Sequence, residues 1–214
     1  GRPGSRGPDA LRSQSKAGGA PFHERWSVPG GYLRPQTDSA GDAWQDLADS
    51  PSDLAAKSVV KEKAATMVNG FRQVSSQLQD MRDSLNDDVE LAVQEINVYL
   101  NRLANLNDSI ATLEVGGAKA NDLRDQRDYA IDQLSKFVNI NTRELGDGTL
   151  SIYIGSVAVV ERNQVVPLQT TTSYNDGVVV STVLWSGTSK ELKLNTGKLK
   201  GLIDARDDVL PDRL

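Results

Sequence analysis

Residue types that carry out chemistry are sparse in this chain, and their spacing builds no catalytic set. His23 is the single histidine and there is no cysteine, so thiol catalysis, disulfides and cysteine-bound zinc are excluded. Ser75, Ser76 and Ser135 fall in predicted helices rather than in a Gly-x-Ser-x-Gly turn. The sequence pattern places no general base next to a nucleophilic side chain, so we predict that the protein is not an enzyme.

Acidic residues form two clusters that resemble cation sites. They are Asp80, Asp83, Asp87 and Asp88 on one predicted helix, and Asp204, Asp207 and Asp208 on another. The calcium-loop pattern with its central glycine and terminal glutamate is absent, so we interpret both clusters as solvated helix faces. Gly146-Asp147-Gly148 predicts a hairpin turn, because no helix with a lysine follows it as in a phosphate-binding loop. We expect no metal and no cofactor.

The element that must position everything else is one very long predicted helix. Its apolar residues recur in steps of four and three, which keeps one stripe facing a partner. The step from Leu85 to Val89 to Ala92 breaks this alternation and makes an eleven-residue stutter. The stripe extends for roughly 70 Å at the helical rise per residue. It consists of Met67, Phe71, Val74, Leu78, Met81, Leu85, Val89, Ala92, Ile96, Tyr99, Leu103, Leu106, Ile110 and Leu113.

Overall composition narrows the possible classes of protein. The chain has 214 residues, a net charge of -5 and 5% aromatic residues, and this acidic balance argues against a nucleic-acid partner. No run approaches the roughly eighteen apolar residues of a membrane span, and no signal peptide is visible. Because the chain starts at Gly1 and ends at Leu214 inside a helical pattern, we expect a fragment of a longer product.

Composition and period divide the chain into four predicted segments. Residues 1–41 hold eight of the 18 glycines and five of the 8 prolines, so we predict irregular or disordered structure there. Residues 42–138 are predicted as a helical rod domain, residues 139–195 as a β domain, and residues 196–214 as the start of a returning helix. We expect Ser50 to cap the long helix, Gly116-Gly117 to end it, and Asn121 to cap a second helix that folds back on it.

The apolar period changes to two from Val138 onward, which is typical of strands. The turn signals that separate the strands are Gly146-Asp147-Gly148, Asn163, Asn175-Asp176-Gly177 and Ser186-Gly187. The predicted fold class is therefore α+β: a long antiparallel helical hairpin rod, coiled-coil-like, with a small antiparallel β domain.

The stripe is longer than its predicted helical partners. The second and last helices supply roughly thirty residues against about sixty in the long helix. We therefore expect other parts of the longer product, or other subunits, to cover the remainder. The side chains expected to carry packing and assembly are Phe71, Leu78, Leu85, Ile96, Leu103, Leu106 and Ile110.

Four segments of the chain carry recognisable motifs. They are DAWQDLADSPSDLAAKSVVKEKAATMVNGF, VQEINVYLNRLANLNDSI, NDLRDQRDYAIDQLSKFVNI and GLIDARDDVLP, in this order and with the β segment between the last two. Together they resemble one family, the flagellar hook-associated protein 1 family of hook–filament junction proteins. The motif positions are Ile96, Asn97, Leu103, Ala104, Leu106, Asn107 and Ile110 in the second segment and Asn121, Asp122, Leu123, Asp125, Arg127 and Asp128 in the third. In the fourth segment they are Gly201, Ile203, Arg206, Asp207, Leu210 and Pro211.

The resemblance implies a secreted axial component of the bacterial flagellum that joins hook and filament. Its partners would be copies of itself and the axial proteins on the hook side and the filament side, with an export chaperone reached only through termini that this chain does not carry. Within the motif Asp125, Arg127 and Asp128, we expect Arg127 to pair with Asn107 or Asp108 and to pin the helical hairpin. The alternatives are a flagellin-like or cap subunit, or a cytosolic coiled-coil adaptor.

Overall fold

The computed structural model describes residues 30–175 and 178–210, which fall into two compact units divided between Val74 and Ser75. These described residues contain four α-helices: α1 (Gly30–Asp49), α2 (Leu54–Val115), α3 (Asn121–Phe137) and α4 (Lys198–Asp204). A short π-helix, Ala205–Val209, continues α4. The predicted α+β class is confirmed. His23 and the predicted irregular residues 1–29 lie outside the described residues.

Helix α1 corrects the predicted boundary of the irregular segment. Residues 30–41 are helical, although the segment was expected to be irregular up to residue 41. Glycines and Pro35 lower the helix propensity here, but Ala40 and Ala43 are buried, so packing overrides propensity. Gly70 of α2 lets the Gln36 side chain approach, because a Cβ at Gly70 would overlap it.

The ends of α2 and α3 differ from two predicted caps. Asp53, not Ser50, caps α2, since its Oδ1 accepts the Ala55 N–H at 2.8 Å. The expected stop is confirmed, because Gly117 adopts a φ of 80° just beyond α2. Asn121 is the first residue of α3 and makes no cap. The preceding Ala120 N–H instead donates to the Glu114 carboxylate at 3.5 Å.

Helices α2 and α3 form the predicted antiparallel hairpin. Glu114 near the end of α2 contacts Arg124 near the start of α3. The ring of Tyr99, about four turns earlier on α2, packs in a tilted orientation with its centroid 6.3 Å from that of Phe137 at the end of α3. Contacts in opposite sequence order along the two helices define an antiparallel pair.

The strands form two antiparallel sheets rather than one. A four-stranded sheet has the order β1 (Ile140–Glu144), β2 (Leu150–Ile154), β3 (Val157–Glu161) and β4 (Gln164–Val165). A separate hairpin pairs β5 (Leu168–Asn175) with β6 (Val178–Trp185). At the end of the predicted β domain, Glu191 forms a single isolated bridge with Leu184.

The core of the second unit lies along α2. Of the side chains expected to pack, Leu78, Leu85, Ile96, Leu103, Leu106 and Ile110 are buried. Phe71 is the exception, because 48% of its surface is exposed and it lies in the first unit. Of the elements in this chain, only helices were expected to cover the apolar stripe. In the structure, strands also contact α2, through the hydrogen bonds described below.

Candidate functional site

Three asparagines on one face of α2 bind the backbone of three different strands. They are Asn86, Asn97 and Asn107, separated by about three helical turns each. Each carboxamide offers one acceptor and an NH₂ donor, so a single side chain pairs with both the C=O and the N–H of a strand. Each asparagine thereby makes the hydrogen bonds that a neighbouring strand would make, and these bonds attach the long helix to the β domain.

Asn97 shows this arrangement in its simplest form. Its Nδ2 donates to the Leu168 carbonyl at 2.8 Å, and its Oδ1 accepts the Leu168 N–H at 2.8 Å. Leu168 is the first residue of β5, so this pair fixes where the hairpin begins along α2. Leu168 itself is buried, which shields both hydrogen bonds from competing water.

Asn107 attaches the four-stranded sheet and is joined by a buried arginine. Its Nδ2 donates to the carbonyls of Leu150 (2.7 Å) and Arg162 (3.0 Å), and its Oδ1 accepts the Leu150 N–H at 3.1 Å. Arg127 Nη1 donates to the same Oδ1 at 3.4 Å and to the Gly148 carbonyl at 2.9 Å. Arg127 therefore links α3, α2 and the turn before β2.

Burial changes the electrostatics of Arg127. The side chain is 3% exposed, and this loss of solvation, followed by the nearby Arg124 charge, lowers the pKa of its guanidinium. The predicted pairing with Asn107 is present in the structure, whereas Asp125 and Asp128 of the same motif are exposed. The pinning role of Arg127 remains a prediction.

Asn86 attaches β6 and is joined by a second buried arginine. Its Nδ2 donates to the Val179 carbonyl at 2.9 Å, and its Oδ1 accepts the Ser181 N–H at 3.0 Å. Arg206 Nη1 donates to that Oδ1 at 3.0 Å and to the Ser181 carbonyl at 2.6 Å. The two ends of the β domain are thus held by the same chemistry, one asparagine with one arginine.

An ion triad closes the helical hairpin at its turn. Arg124 donates to both oxygens of Glu114 at 2.9 Å and to Glu144 of β1 at 3.3 Å. The hydrogen bond from Arg124, outweighing partial burial, lowers the pKa of the Glu114 carboxyl. Glu114 also receives the Ala120 N–H, so one carboxylate ties the end of α2 to the start of α3.

The turn before β2 has its own polar network. Asp147 accepts hydrogen bonds from the Thr149 hydroxyl and backbone N–H, and these lower the pKa of its carboxyl. Gly148 follows with a φ of 79°, a conformation that favours glycine. The Gly146-Asp147-Gly148 segment is therefore a turn, as predicted, and its Gly148 carbonyl is the acceptor that Arg127 uses.

Sequence reasoning missed Asn86, Arg124 and Glu114 as contact residues. Asn86 directly follows the buried Leu85, and a buried asparagine needs partners for its donors and acceptors. Its spacing of eleven residues from Asn97 was the available signal. The partners themselves lie about ninety residues away in the sequence, as with Val179 and Ser181, and no local pattern indicates them.

Neither acidic cluster forms a cation site. Within the described residues, no group of three or more histidine, cysteine, aspartate or glutamate side chains is placed to hold a metal ion. Asp204 pairs with Lys200, and Asp207 pairs with Arg206. No helix within residues 30–175 and 178–210 is long and apolar enough to cross a membrane.

These features define a class of helical domain in which strands are docked along one long helix. The family model for the flagellar hook-associated protein FlgK helical domain matches residues 27–214. The chain therefore belongs to the FlgK family of flagellar hook-associated proteins.

Curated relatives agree with this assignment. Flagellar hook-associated protein 1 of Salmonella typhimurium is 32% identical over 179 residues, covering 78% of this chain and 32% of the relative. The Bacillus subtilis protein of the same name is 33% identical over 119 residues, covering 51% of this chain and 24% of the relative. The chain thus spans about a third or less of these relatives.

A solved structure shares the fold. The flagellar hook junction protein FlgK from Burkholderia pseudomallei superimposes with a TM-score of 0.72 at 24% identity. The match covers 82% of this chain and 33% of that protein. The arrangement of long helix, short helix and strands is therefore the fold of this neighbour.

Proposed function

We propose that this chain is the helical-domain part of a secreted structural protein that joins the hook to the filament of the bacterial flagellum. The observation that carries the proposal is the family match over residues 27–214. The described residues support it, because they assemble helices and strands through hydrogen-bonded side chains. The role is structural rather than enzymatic.

Its partners in this proposal are copies of itself and the axial proteins on the hook and filament sides. The first unit supplies a candidate contact surface, because its large apolar side chains are exposed. These are Trp44, Leu54, Val59, Val68 and Phe71. Apolar side chains of this number on two neighbouring helices favour burial against another protein surface. Export-chaperone binding is assigned to parts of the full-length protein outside this chain.

Deletion of the full-length gene tests the proposed role directly. Hooks are imaged by electron microscopy, and the culture medium is assayed for flagellin. The junction role predicts bare hooks and flagellin monomer released into the medium. Normal filaments on the deletion strain would overturn it and would favour a cytosolic coiled-coil adaptor.

The contact surface is tested by complementing that deletion with full-length variants. Phe71→Ser removes an exposed apolar side chain of the first unit and is expected to reduce the number of filaments that stay attached. Tyr174→Ser, at an 80% exposed position of β5 in the second unit, is the matched control. Equal filament numbers in both variants would remove Phe71 from the contact surface.

A further inference from the structure

The outer edge of strand β6 carries backbone groups that form hydrogen bonds with other parts of the chain. A two-stranded hairpin is marginal on its own, and an edge strand with unpaired groups invites pairing with other chains. One edge of β6 pairs with β5. On its other edge, the chain that follows the strand provides Leu192 N–H to the Val183 carbonyl at 2.9 Å, and the Lys190 carbonyl to the Trp185 N–H at 3.1 Å.

The earlier part of that edge is covered by α2. Asn86 occupies the Val179 carbonyl and the Ser181 N–H, as an adjacent strand would. The Ser181 carbonyl on the same edge accepts a hydrogen bond from the Arg206 guanidinium at 2.6 Å. The outer edge of β6 is therefore covered in part by a residue from the helical segment that returns after the β domain.

Arg206 is held in place for this contact. Its Nε and Nη2 donate to the two oxygens of Asp207 at 2.7 and 2.8 Å, so the carboxylate holds the guanidinium in a bidentate pair. The side chain is 2% exposed, so water has no ready access to the groups that it satisfies. Without the guanidinium, the Ser181 carbonyl would lose a charge-assisted partner inside the protein.

We propose that Arg206 is a clasp, by which the returning chain binds the edge of β6 and keeps the β5–β6 hairpin docked on α2. The hairpin is fully docked only when the segment Ala205–Val209 has folded back onto Asn86 and Ser181. The clasp also occupies a carbonyl on an edge whose open groups invite pairing with another chain. This makes the opening of β6 and of the returning segment a single event, separate from the four-stranded sheet.

The neighbouring contacts provide matched comparisons for a test. Arg127 makes the corresponding contacts with Asn107 and the Gly148 carbonyl at the four-stranded sheet, so its loss should act there instead. Lys200 pairs with Asp204 on the same returning segment but is 35% exposed. Lys200→Met therefore removes a cation from that segment without touching the edge of β6.

Amide hydrogen exchange on the complete 214-residue chain, resolved residue by residue by NMR, measures the clasp. Arg206→Met should accelerate exchange of the Ser181 amide by about 10- to 100-fold, while the Leu150 amide beside Asn107 changes by less than about threefold. Arg127→Met should produce the reverse pattern. Lys200→Met should leave both amides within about threefold of the unmodified chain.

Two results would overturn the clasp. One is an unchanged Ser181 amide in Arg206→Met, and the other is equal acceleration of Ser181 and Leu150, which would mean a general loss of stability. If Arg206→Met does not fold, exchange of the unmodified chain at increasing low denaturant decides instead. The clasp then requires that Ser181, Leu192 and Leu210 share one opening free energy, lower than that of Leu150. Unrelated values for these amides would contradict it.

Discussion

Helix α2 contributes residues to both units of the chain, and its apolar side chains are buried to different extents in the two. In the first unit, only Ala40, Ala43 and Val60 are buried apolar side chains among the described residues, and Trp44 is 60% exposed. In the second unit, α2 is buried from Leu78 to Ile110 on the face that carries the three asparagines. The apolar stripe of α2 is therefore core in the second unit, whereas Phe71 of the same stripe is about half exposed in the first.

This difference shows that an apolar stripe in the sequence does not reveal which element packs against it. In the second unit, the stripe is covered by α3 and by strands whose backbone is hydrogen-bonded to Asn86, Asn97 and Asn107. In the first unit, α1 contributes small side chains, and the large apolar groups stay outside. We infer that the second unit has its own core and that the first reaches full burial in the assembled protein.

The largest expected effect comes from placing a charge in the core of the second unit. Leu103 is fully buried, so Leu103→Asp would bury an unpaired carboxylate, at a cost of several kcal/mol or more. We expect loss of the folded second unit, measured as a fall in helical circular dichroism. Leu113→Asp, at a position 44% exposed, should retain the signal. An unchanged signal for Leu103→Asp would contradict this account of the core.

The next effect concerns the buried arginine of the hairpin motif. Arg127→Ala removes the donor to Asn107 and to the Gly148 carbonyl, and we expect the free energy of unfolding to fall by about 2 kcal/mol. The readout is the thermal midpoint. Arg143→Ala, at an exposed arginine of β1, is the control. A midpoint for Arg127→Ala equal to that of the unmodified chain would rule out the pinning role.

A smaller effect follows from the ion triad at the turn between α2 and α3. The pKa of Glu114 is lower in the folded state than in the unfolded chain because Arg124 binds its charged form. Its stabilising contribution is therefore complete above the ordinary glutamate pKa of about 4.3 and is lost as the pH falls through the lowered pKa. Glu114→Gln should flatten this acid dependence in unfolding curves. Parallel pH profiles for the variant and the unmodified chain would refute it.

The smallest expected effect on stability is in the first unit. Phe71 is 48% exposed, so Phe71→Ser should change the free energy of unfolding of the isolated chain by within about 0.5 kcal/mol. Denaturant unfolding measures this. A loss of several kcal/mol would mean that Phe71 belongs to a core of this chain, and the contrast between the two units would fail.

Much of the fold was predictable from the sequence because local signals were strong. The stop at Gly116-Gly117, the turn at Gly146-Asp147-Gly148 and the change of period after Val138 all correspond to observed boundaries. The helix over residues 30–41 was not predictable from composition, since Gly and Pro content opposes it. Its burial at Ala40 and Ala43 comes from packing, which no local pattern encodes.

The site was predictable only where a motif resemblance marked it. The fold-back of α3 predicts that Arg127 pairs with Asn107 or Asp108, and the structure contains the hydrogen bond to Asn107. Arg206 lay in a recognised motif without an assigned contact, and Asn86 was overlooked. Their shared partner Ser181 is an unremarkable polar residue within a strand. Contacts between distant segments depend on how the strands dock, which periodicity does not reveal.

Hydrogen exchange along α2 in the isolated chain tests the contrast between the two units most directly. We predict that amides of residues 89–110 exchange slowly, because they open only with the second unit, and that amides of residues 58–71 exchange at least about tenfold faster. Uniform protection along the whole of α2 would contradict the account, because it would show that the first unit already has a complete core without partners.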